Sequence, residues 1–279
     1  MATSSRTPLA RPQPPKAKES SGDEIIALSR GLTLLRRVAS ADAPISNREL
    51  AELTGIPKPT VSRITATLVG AGFLFQLPDS ERFVLTASVL ELGNGFLRNF
   101  DIRARARPFL IELAERTSLS VHLAARDRLD MVVIDTIRPR SAVLVSRLEV
   151  GSRMDLTRTA VGPAYLAVLP EPERAALMAA LQAASGDDWP HIHARLATSL
   201  EDARALDFTI AAGEWYTELN AIAAGFVGPS GERYAVNCGG AAHLCPREWL
   251  IEHAAPVLGE CIERIVREIG GAPRQRLDD

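Results

Sequence analysis

The sequence predicts an α+β protein with two domains, a small helical domain that ends in a β-hairpin and a larger domain with a mainly antiparallel sheet. Two observations favour this class. The 279 residues exceed the usual size of one domain and can form two moderate cores. In both halves of the chain, helical spacing of apolar residues alternates with short apolar runs of strand length.

Residues 1–22 are expected to form a disordered tail, because they are rich in Pro, Ser, Ala, Arg and Lys and hold hardly any large apolar side chain. The first helix is predicted over residues 24–40. Apolar residues recur there at helical spacing and should form one stripe against a core, at Ile25, Leu28, Leu32, Leu35 and Ala39.

A capping box begins the second predicted helix. Ser46 is followed three residues later by Glu49, so the serine can satisfy the first amides of a helix over residues 47–53. Thr54 and Gly55 then end this helix. A short helix that stops at a glycine turn is typical of the first half of a helix-turn-helix unit.

The third predicted helix has one apolar side and one polar side. Pro59 suits its first turn, and residues 60–69 continue it. Val61, Ile64 and Leu68 fall on the apolar side. The opposite side is free of acids and carries Thr60, Ser62, Arg63 and Thr67.

That polar side has the chemistry of a DNA recognition helix. An arginine can bond to a guanine edge, hydroxyl groups can bond to bases or phosphates, and a helix N-terminus can receive a phosphate oxygen. Arg63 is therefore the first candidate for a base contact. The alternative interpretation is a solvated helix face without a partner, which is common in folded domains.

A β-hairpin is predicted after the third helix. Residues 73–76 and 82–85 are short apolar runs, and residues 78–81 join them with turn-forming side chains. Beside a recognition helix such a hairpin is interpreted as a wing, with Arg82 as its phosphate contact. The complete set of predicted DNA contacts is Lys58, Thr60, Ser62, Arg63, Thr67 and Arg82.

The charge balance limits the kind of nucleic-acid binding to expect. The formal charge of the chain is −2, which argues against general coating of nucleic acid. Around the predicted helices the basic residues are partly offset by acidic ones. Affinity should therefore depend on two copies of the domain binding one DNA site.

Several sequence blocks occur in a fixed order along the chain. In the first half they include LSRGLTLL at residues 28–35, GIPKPTVSR at 55–63 and LELG at 90–93. In the second half they include TAVGPAYLA at residues 159–167 and AIAA at 221–224. Together these blocks resemble the IclR-type bacterial transcriptional regulators over roughly residues 23–270.

The resemblance implies a winged helix-turn-helix DNA-binding domain, a linker helix, a GAF-like effector-binding domain and a C-terminal tail. These parts are expected at residues 23–86, 87–100, 101–270 and 271–279. Two positions depart from the family pattern. Thr86 stands where a glycine often follows the wing, which could alter how the wing leads into the linker helix. Gly225-Phe226 replaces a common Pro-Val pair, which could reshape the sheet of the second domain.

The second domain is predicted to combine helices with short strands. Its helices are expected at residues 102–117, 161–169, 171–184 and 249–269. Its strands are expected at residues 120–125, 131–136, 142–147, near 208, and at 221–227 and 234–238. The domain boundary is placed near Asn99, at the end of an apolar-periodic linker helix.

The resemblance also assigns an effector pocket on one face of this sheet. It gives pocket roles to the backbone amides of Ala160 and Val161, at a helix N-terminus that suits a carboxylate. The remaining candidates are Asn220, Ala221, Asn237 and Gly239 on strands, with Leu148, Met154 and Trp215 as apolar walls. The alternative for each apolar candidate is ordinary core packing.

The expected function is sequence-specific regulation of transcription. The expected partners are double-stranded operator DNA, a small carboxylate or aromatic catabolite, and further copies of the chain in a homodimer or a dimer of dimers. No cofactor or metal is expected. We expect a cytoplasmic protein, since no apolar run is long enough for a bilayer and three cysteines fit no disulfide framework.

A second class, a metabolite-processing enzyme with an appended helical domain, is the alternative function. His191 and His193, which follow Pro190 in an expected loop, have no standard zinc spacing, and neither does Cys238 with the histidine and cysteine after it. No residue set supplies a nucleophile with an oxyanion hole. His122, on an apolar strand, is interpreted as a satisfied core histidine.

Overall fold

The computed structural model describes four stretches of the chain: residues 25–78, 80–98, 101–140 and 148–272. Contacts divide the chain into two compact units, with the division between Gly95 and Phe96. The predicted strand over residues 142–147 lies outside the described residues, as do the predicted tail over residues 1–22 and all but the first two residues of the tail predicted from residue 271.

The first unit places a two-helix motif beside a small sheet. Strand β3 lies between β1 and β2 and pairs antiparallel with both. The predicted second helix, third helix and hairpin are confirmed, whereas β1 was not predicted. The elements are α1 (Ile26–Ala39), β1 (Ile45–Ser46), α2 (Asn47–Thr54), α3 (Lys58–Gly70), β2 (Leu74–Gln76), β3 (Arg82–Leu85) and α4 (Ser88–Arg98), which crosses the division.

The predicted apolar stripe of α1 is wrong. The side chains that enter the core are Leu34 and Val38, with Leu35 packed at its edge. Most of the predicted stripe is exposed to solvent, including Ile25 at 69% and Leu28 at 61%. Helix α1 carries apolar residues on more than one side, so helical spacing alone does not select the side that is buried.

The second unit is built on an antiparallel sheet, in which the described residues form six strands in the order β6-β5-β4-β9-β8-β7. Its strands are β4 (Ser120–Asp127), β5 (Asp130–Ile137), β6 (Arg153–Asp155), β7 (Thr209–Ala212), β8 (Leu219–Val227) and β9 (Arg233–Ala241). Its helices are α5 (Asp101–Thr117), α6 (Val161–Leu166), α7 (Glu171–Ser185), α8 (Trp189–Leu206), α9 (Arg247–Trp249) and α10 (Ala255–Ile269).

Each face of this sheet packs against its own set of helices. Alternation along β8 sends Ile222 into a core shared with α5 and α10 and sends Ala221 into a second core shared with α6. Gly225 lets α6 approach closely, because a Cβ atom there would lie 2.3 Å from the carbonyl oxygen of Ala164. Phe226 fills the opposite core, so the Gly-Phe departure from the family pattern serves both faces of the sheet.

Two helical expectations for the second unit need correction. The predicted loop that carries His191 and His193 is wrong, because both residues lie in α8. Pro190 lies in the first turn of that helix, where proline is tolerated and does not mark a break. The closing helix predicted over residues 249–269 also contains a π-helical turn at Leu250–Ala254. Among the helices that the structure describes, none has the length and apolar composition of a membrane span.

Candidate functional sites

Hydrogen bonds fix the geometry of the helix-turn-helix motif. The capping box is formed, since the Glu49 amide donates to Ser46 Oγ at 3.3 Å and the Ser46 amide donates to Glu49 Oε2 at 2.8 Å. Gly55 ends α2 in the left-handed conformation at φ 68°. Thr65, which is 1% exposed, donates from Oγ1 to Asn47 Oδ1 at 2.9 Å and so ties α3 to the start of α2.

The predicted polar side of α3 faces outward. Lys58, Ser62, Arg63 and Thr67 are exposed, and Thr60 is half-buried. In the part of the chain that the structure describes, no ion pair engages the guanidinium of Arg63. Five predicted DNA contacts therefore share an accessible helix, with an unneutralised cation among hydroxyl groups.

Arg82, the predicted wing contact, has a structural role as well. Its Nη1 donates to the Pro44 carbonyl oxygen at 2.6 Å and to Glu49 Oε2 at 3.1 Å, and its Nη2 donates to Glu49 Oε1 at 3.2 Å. The hydrogen bonds from Ser46, followed by the contact with Arg82, lower the pKa of Glu49. Arg82 thus connects the hairpin to the start of α2.

A narrow cavity lies on the α6 side of the second-unit sheet. Its volume is about 580 Å³ when the space that opens to the solvent is included. Within that volume, the centre of a water molecule can occupy about 40 Å³. Seven of the nine predicted pocket residues line this cavity: Leu148, Met154, Ala160, Trp215, Ala221, Asn237 and Gly239. The lining residues that were not predicted are Ser120, His122, Thr159, Ala211, Leu219 and Gly240.

The other two predicted residues are not brought to the cavity wall. Val161 is fully buried at the start of α6. Asn220 donates from Nδ2 to the Cys245 carbonyl oxygen at 3.1 Å, which anchors the segment after β9. Gly239 of β9 lies close to β8, since a Cβ atom at this position would lie 2.7 Å from the Asn220 carbonyl oxygen. A larger residue at this position of the cavity wall would therefore clash with β8.

The loop before α6 is held on two sides. Arg158 Nε donates to the Glu214 carbonyl oxygen at 3.0 Å, next to the turn that carries Trp215. Arg195 of α8 donates through Nη2 to the Thr157 carbonyl oxygen at 3.0 Å. Two guanidinium groups therefore fix the loop that supplies Thr159 and Ala160 to the cavity.

The cavity contains a buried polar pair, His122 on β4 and Asn237 on β9. The two residues are directly opposed in the strand register, and they are 6% and 7% exposed. Within the described ranges, neither His122 Nδ1 nor Asn237 Oδ1 makes a hydrogen bond of normal geometry. Burial lowers the pKa of His122 to about 4, and a side-chain hydrogen-bond interaction with Asn237 opposes this shift, so the two side chains are close to each other. His122 is thus buried, as expected from the sequence, but its Nδ1 atom lacks a well-formed hydrogen bond among the described residues.

The cysteines do not form a reactive site. All three are buried, and burial raises the pKa of Cys238 far above its ordinary value and that of Cys261 to about 12. A thiol that stays protonated is a poor nucleophile and a poor metal ligand. Among the described residues there is also no group of three or more His, Cys, Asp or Glu that could hold a metal ion.

Comparison with known proteins gives consistent relatives for both units. Residues 27–78 match the model of the IclR helix-turn-helix domain, and residues 94–266 match the model described as bacterial transcriptional regulator IclR C-terminal. The HTH-type transcriptional regulator TsaQ1/TsaQ2 of Comamonas testosteroni is 30% identical over 267 residues, which is 95% of each chain.

Solved structures agree with these sequence matches. An IclR family transcriptional regulator from Brucella abortus has a TM-score of 0.77 and 34% identity, and the match covers 90% of this chain and 95% of that one. An IclR homologue from Microbacterium hydrocarbonoxydans, solved in complex with 4-hydroxybenzoate, shares the fold with a TM-score of 0.69 at 17% identity, over 88% of this chain and 99% of that one.

The matched family consists of transcriptional regulators that bind DNA, and relatives named as repressors and operon regulators occur among the similar proteins. The alternative of a metabolite-processing enzyme is therefore not supported. The two family models together cover most of the chain, and the full-length relative covers nearly all of it. This chain belongs to the IclR family of bacterial transcriptional regulators.

Proposed function

We propose that the protein binds a specific operator through α3 and that a small molecule in the second-unit cavity changes its operator affinity. The observation that carries the DNA part is the exposed, acid-free face of α3, which the buried Thr65–Asn47 hydrogen bond holds in position. We assign DNA binding to residues 23–86, the linker to residues 87–100 and effector binding to residues 101–270. As a DNA-binding regulator, it acts in the cytoplasm.

Arg63 is the proposed base contact, since its guanidinium forms no ion pair with a described residue and can bond to the O6 and N7 atoms of a guanine. Lys58, Thr60, Ser62 and Thr67 are proposed to contact phosphates or base edges. Arg82 is proposed as the phosphate contact of the wing. A guanidinium has five N–H donors, and the three hydrogen bonds of Arg82 leave two of them for a phosphate oxygen.

A second copy of the chain is the proposed partner of the first unit. Helix α1 exposes apolar side chains that its own core does not use, including Ile26 at 62% and Leu32 at 49%. Helix α4 exposes Leu90 and Leu92, each at 63%. Apolar area of this kind is usually covered in an oligomer. Two recognition helices are also needed to read two half-sites about 34 Å apart.

The effector proposal rests on the narrow, mostly apolar cavity and its few polar side chains. Leu148, Met154 and Trp215 supply apolar walls that suit a small ring. The relative from Microbacterium hydrocarbonoxydans was solved with 4-hydroxybenzoate, a ligand of this size class. An effector that prefers one arrangement of the chain changes operator affinity only by its differential affinity, typically about 1–3 kcal/mol.

The DNA proposal is tested with the operator recovered by sequencing DNA that binds the purified protein. In a gel-shift competition, Arg63→Ala should reduce the preference for operator over unrelated DNA by about 1–3 kcal/mol. Arg204→Ala is the matched control, because it removes an exposed arginine from α8 of the other unit. An unchanged operator preference in the Arg63 variant would refute the role assigned to α3.

A further inference from the structure

The His122–Asn237 pair is the feature of the cavity that carries an inference about the effector itself. Both side chains are more than nine-tenths buried, and both line the cavity. Within the described part of the chain, His122 Nδ1 and Asn237 Oδ1 make no hydrogen bond of normal geometry, although the two side chains are close enough to interact with each other. A buried polar atom without a well-formed hydrogen bond destabilises the fold, so two such atoms on facing strands point to a partner that binds there.

The rest of the cavity wall is uncharged. Its polar side chains are Ser120, His122, Thr159 and Asn237, and the lining residues that the structure describes include no Asp, Glu, Lys or Arg. The Thr159 hydroxyl already donates to the Asp155 carbonyl oxygen at 2.6 Å. The charge of the Arg138 guanidinium contributes to lowering the pKa of His122, but this guanidinium forms an ion pair with Glu149 at 2.9 Å. A charged ligand group would therefore lose its hydration without an unpaired countercharge on the lining side chains.

Hydrogen-bond chemistry narrows the ligand group further. Asn237 Oδ1 is an acceptor and needs a proton from its partner. A carboxylate has no proton to give, and a methyl group can neither give nor accept one. A hydroxyl group can donate to one atom and accept from another at the same time.

We propose that His122 and Asn237 recognise an uncharged hydroxyl group of the effector, which donates its proton to Asn237 Oδ1 and accepts one from His122 Nδ1. This inference rests on the proposed function, and it names the effector class as a small hydroxylated molecule whose hydroxyl end enters the cavity. Since His122 is neutral at neutral pH, one of its ring nitrogens carries a proton and the other does not. With the proton on Nδ1, the pair offers one donor and one acceptor and no net charge.

Three small probes of similar size test the proposal on the full-length protein without DNA. Phenol carries the hydroxyl group, toluene replaces it with a methyl group, and benzoate replaces it with a carboxylate. By isothermal titration calorimetry, phenol should bind about tenfold or more tightly than either of the other two. Equal affinities would overturn the proposal, and so would a failure of phenol to bind at millimolar concentration.

A preference for benzoate would also overturn it. The wild-type comparison needs no variant, so it remains decisive even where a substitution impairs folding.

Variants then assign the preference to the pair. In Asn237→Leu and in His122→Leu, the ratio of phenol to toluene affinity should fall towards one. Thr136→Val is the matched control, because Thr136 opposes His122 on β5 and its buried hydroxyl also lacks a partner among the described residues, yet it does not line the cavity. This variant should keep the wild-type ratio.

A merely structural role for the pair predicts a different pattern. In that case the substitutions would change the midpoint of thermal unfolding and leave the ratio of phenol to toluene affinity unchanged, which would overturn the proposal. The binding measurements contain no DNA. A protein that prefers phenol but shows no effect of any ligand in the gel shift would contradict the proposed regulation and leave the assignment of the pair intact.

Discussion

The two candidate sites of this protein are built in opposite ways. The polar face of α3 comes from one continuous segment, and its supporting hydrogen bonds join residues of the same short motif. The cavity is assembled from loops and strands that are far apart in the sequence, with β4 and β9 adjacent in the sheet. A local site is set by capping and turn chemistry, whereas an assembled site depends on close packing across the whole sheet.

The largest expected effect comes from a substitution that disrupts the assembled site, the cavity of the second unit. At Gly162, in α6, an added Cβ atom would lie 1.7 Å from the backbone carbonyl oxygen of Leu156, so Gly162→Ala forces backbone movement beside the cavity. We expect a loss of about 3 kcal/mol or more in the free energy of unfolding of the second unit, measured by urea denaturation.

The matched control for that prediction is Gly259→Ala on α10. At this position an added Cβ atom has open space, so alanine should stabilise the helix by up to about 1 kcal/mol. A Gly162→Ala protein as stable as the wild type would show that close approach of α6 to the preceding loop is not needed.

A second prediction concerns the pH dependence of the assembled site. The pKa of buried His122 is about 4, below its ordinary value of 6.5, so the folded protein binds a proton there less readily than the unfolded chain does. The resulting stability is present above pH 6.5 and is lost as the pH falls to 4. Its size is about 3 kcal/mol.

His122→Leu should remove this component, so the variant should lose less stability than the wild type between pH 6.5 and pH 4. Urea denaturation at several pH values measures the difference. His191→Ala, which replaces an exposed histidine of α8, serves as the control and should follow the wild type. Parallel stability curves for wild type and His122→Leu would contradict the assigned pKa.

The same contrast explains how much the sequence could predict. The capping box at Ser46, the turn at Gly55 and the hairpin are short-range features, and the structure confirms them. Seven pocket residues were assigned through family resemblance, and they do line one cavity. His122 was placed in the core, because neither spacing nor hydropathy shows that Asn237 is its neighbour across two strands.

Other errors have the same cause. Helix α1 offers apolar residues on several sides, and only the fold selects Leu34 and Val38 for the core. Helix α8 was missed because it buries few residues, chiefly Leu196 and Ala203, and because Pro190 looked like a break. The hydrogen bond between Asn47 and Thr65 was also missed, since its two polar partners lie on different helices and form no sequence motif.

That hydrogen bond is the place where the local site can be tested, with the smallest expected effect. Thr65→Val keeps the side-chain volume but removes the hydroxyl that donates to Asn47 Oδ1, so an acceptor at the start of α2 loses its partner. We expect a loss of about 1–2 kcal/mol in the free energy of unfolding of the first unit. Thr33→Val is the matched control, because the Thr33 hydroxyl is exposed and bonds only within its own helix.

If α3 is positioned by this bond, Thr65→Val should also weaken operator binding in the gel shift, although Thr65 faces away from the proposed DNA surface. Loss of stability without any loss of operator affinity would show that packing of Val61 and Leu50 alone sets the angle between α2 and α3. The DNA-binding face of α3 would then depend on core packing, as the cavity does. The two sites would differ only in how far apart in the sequence the packed residues lie.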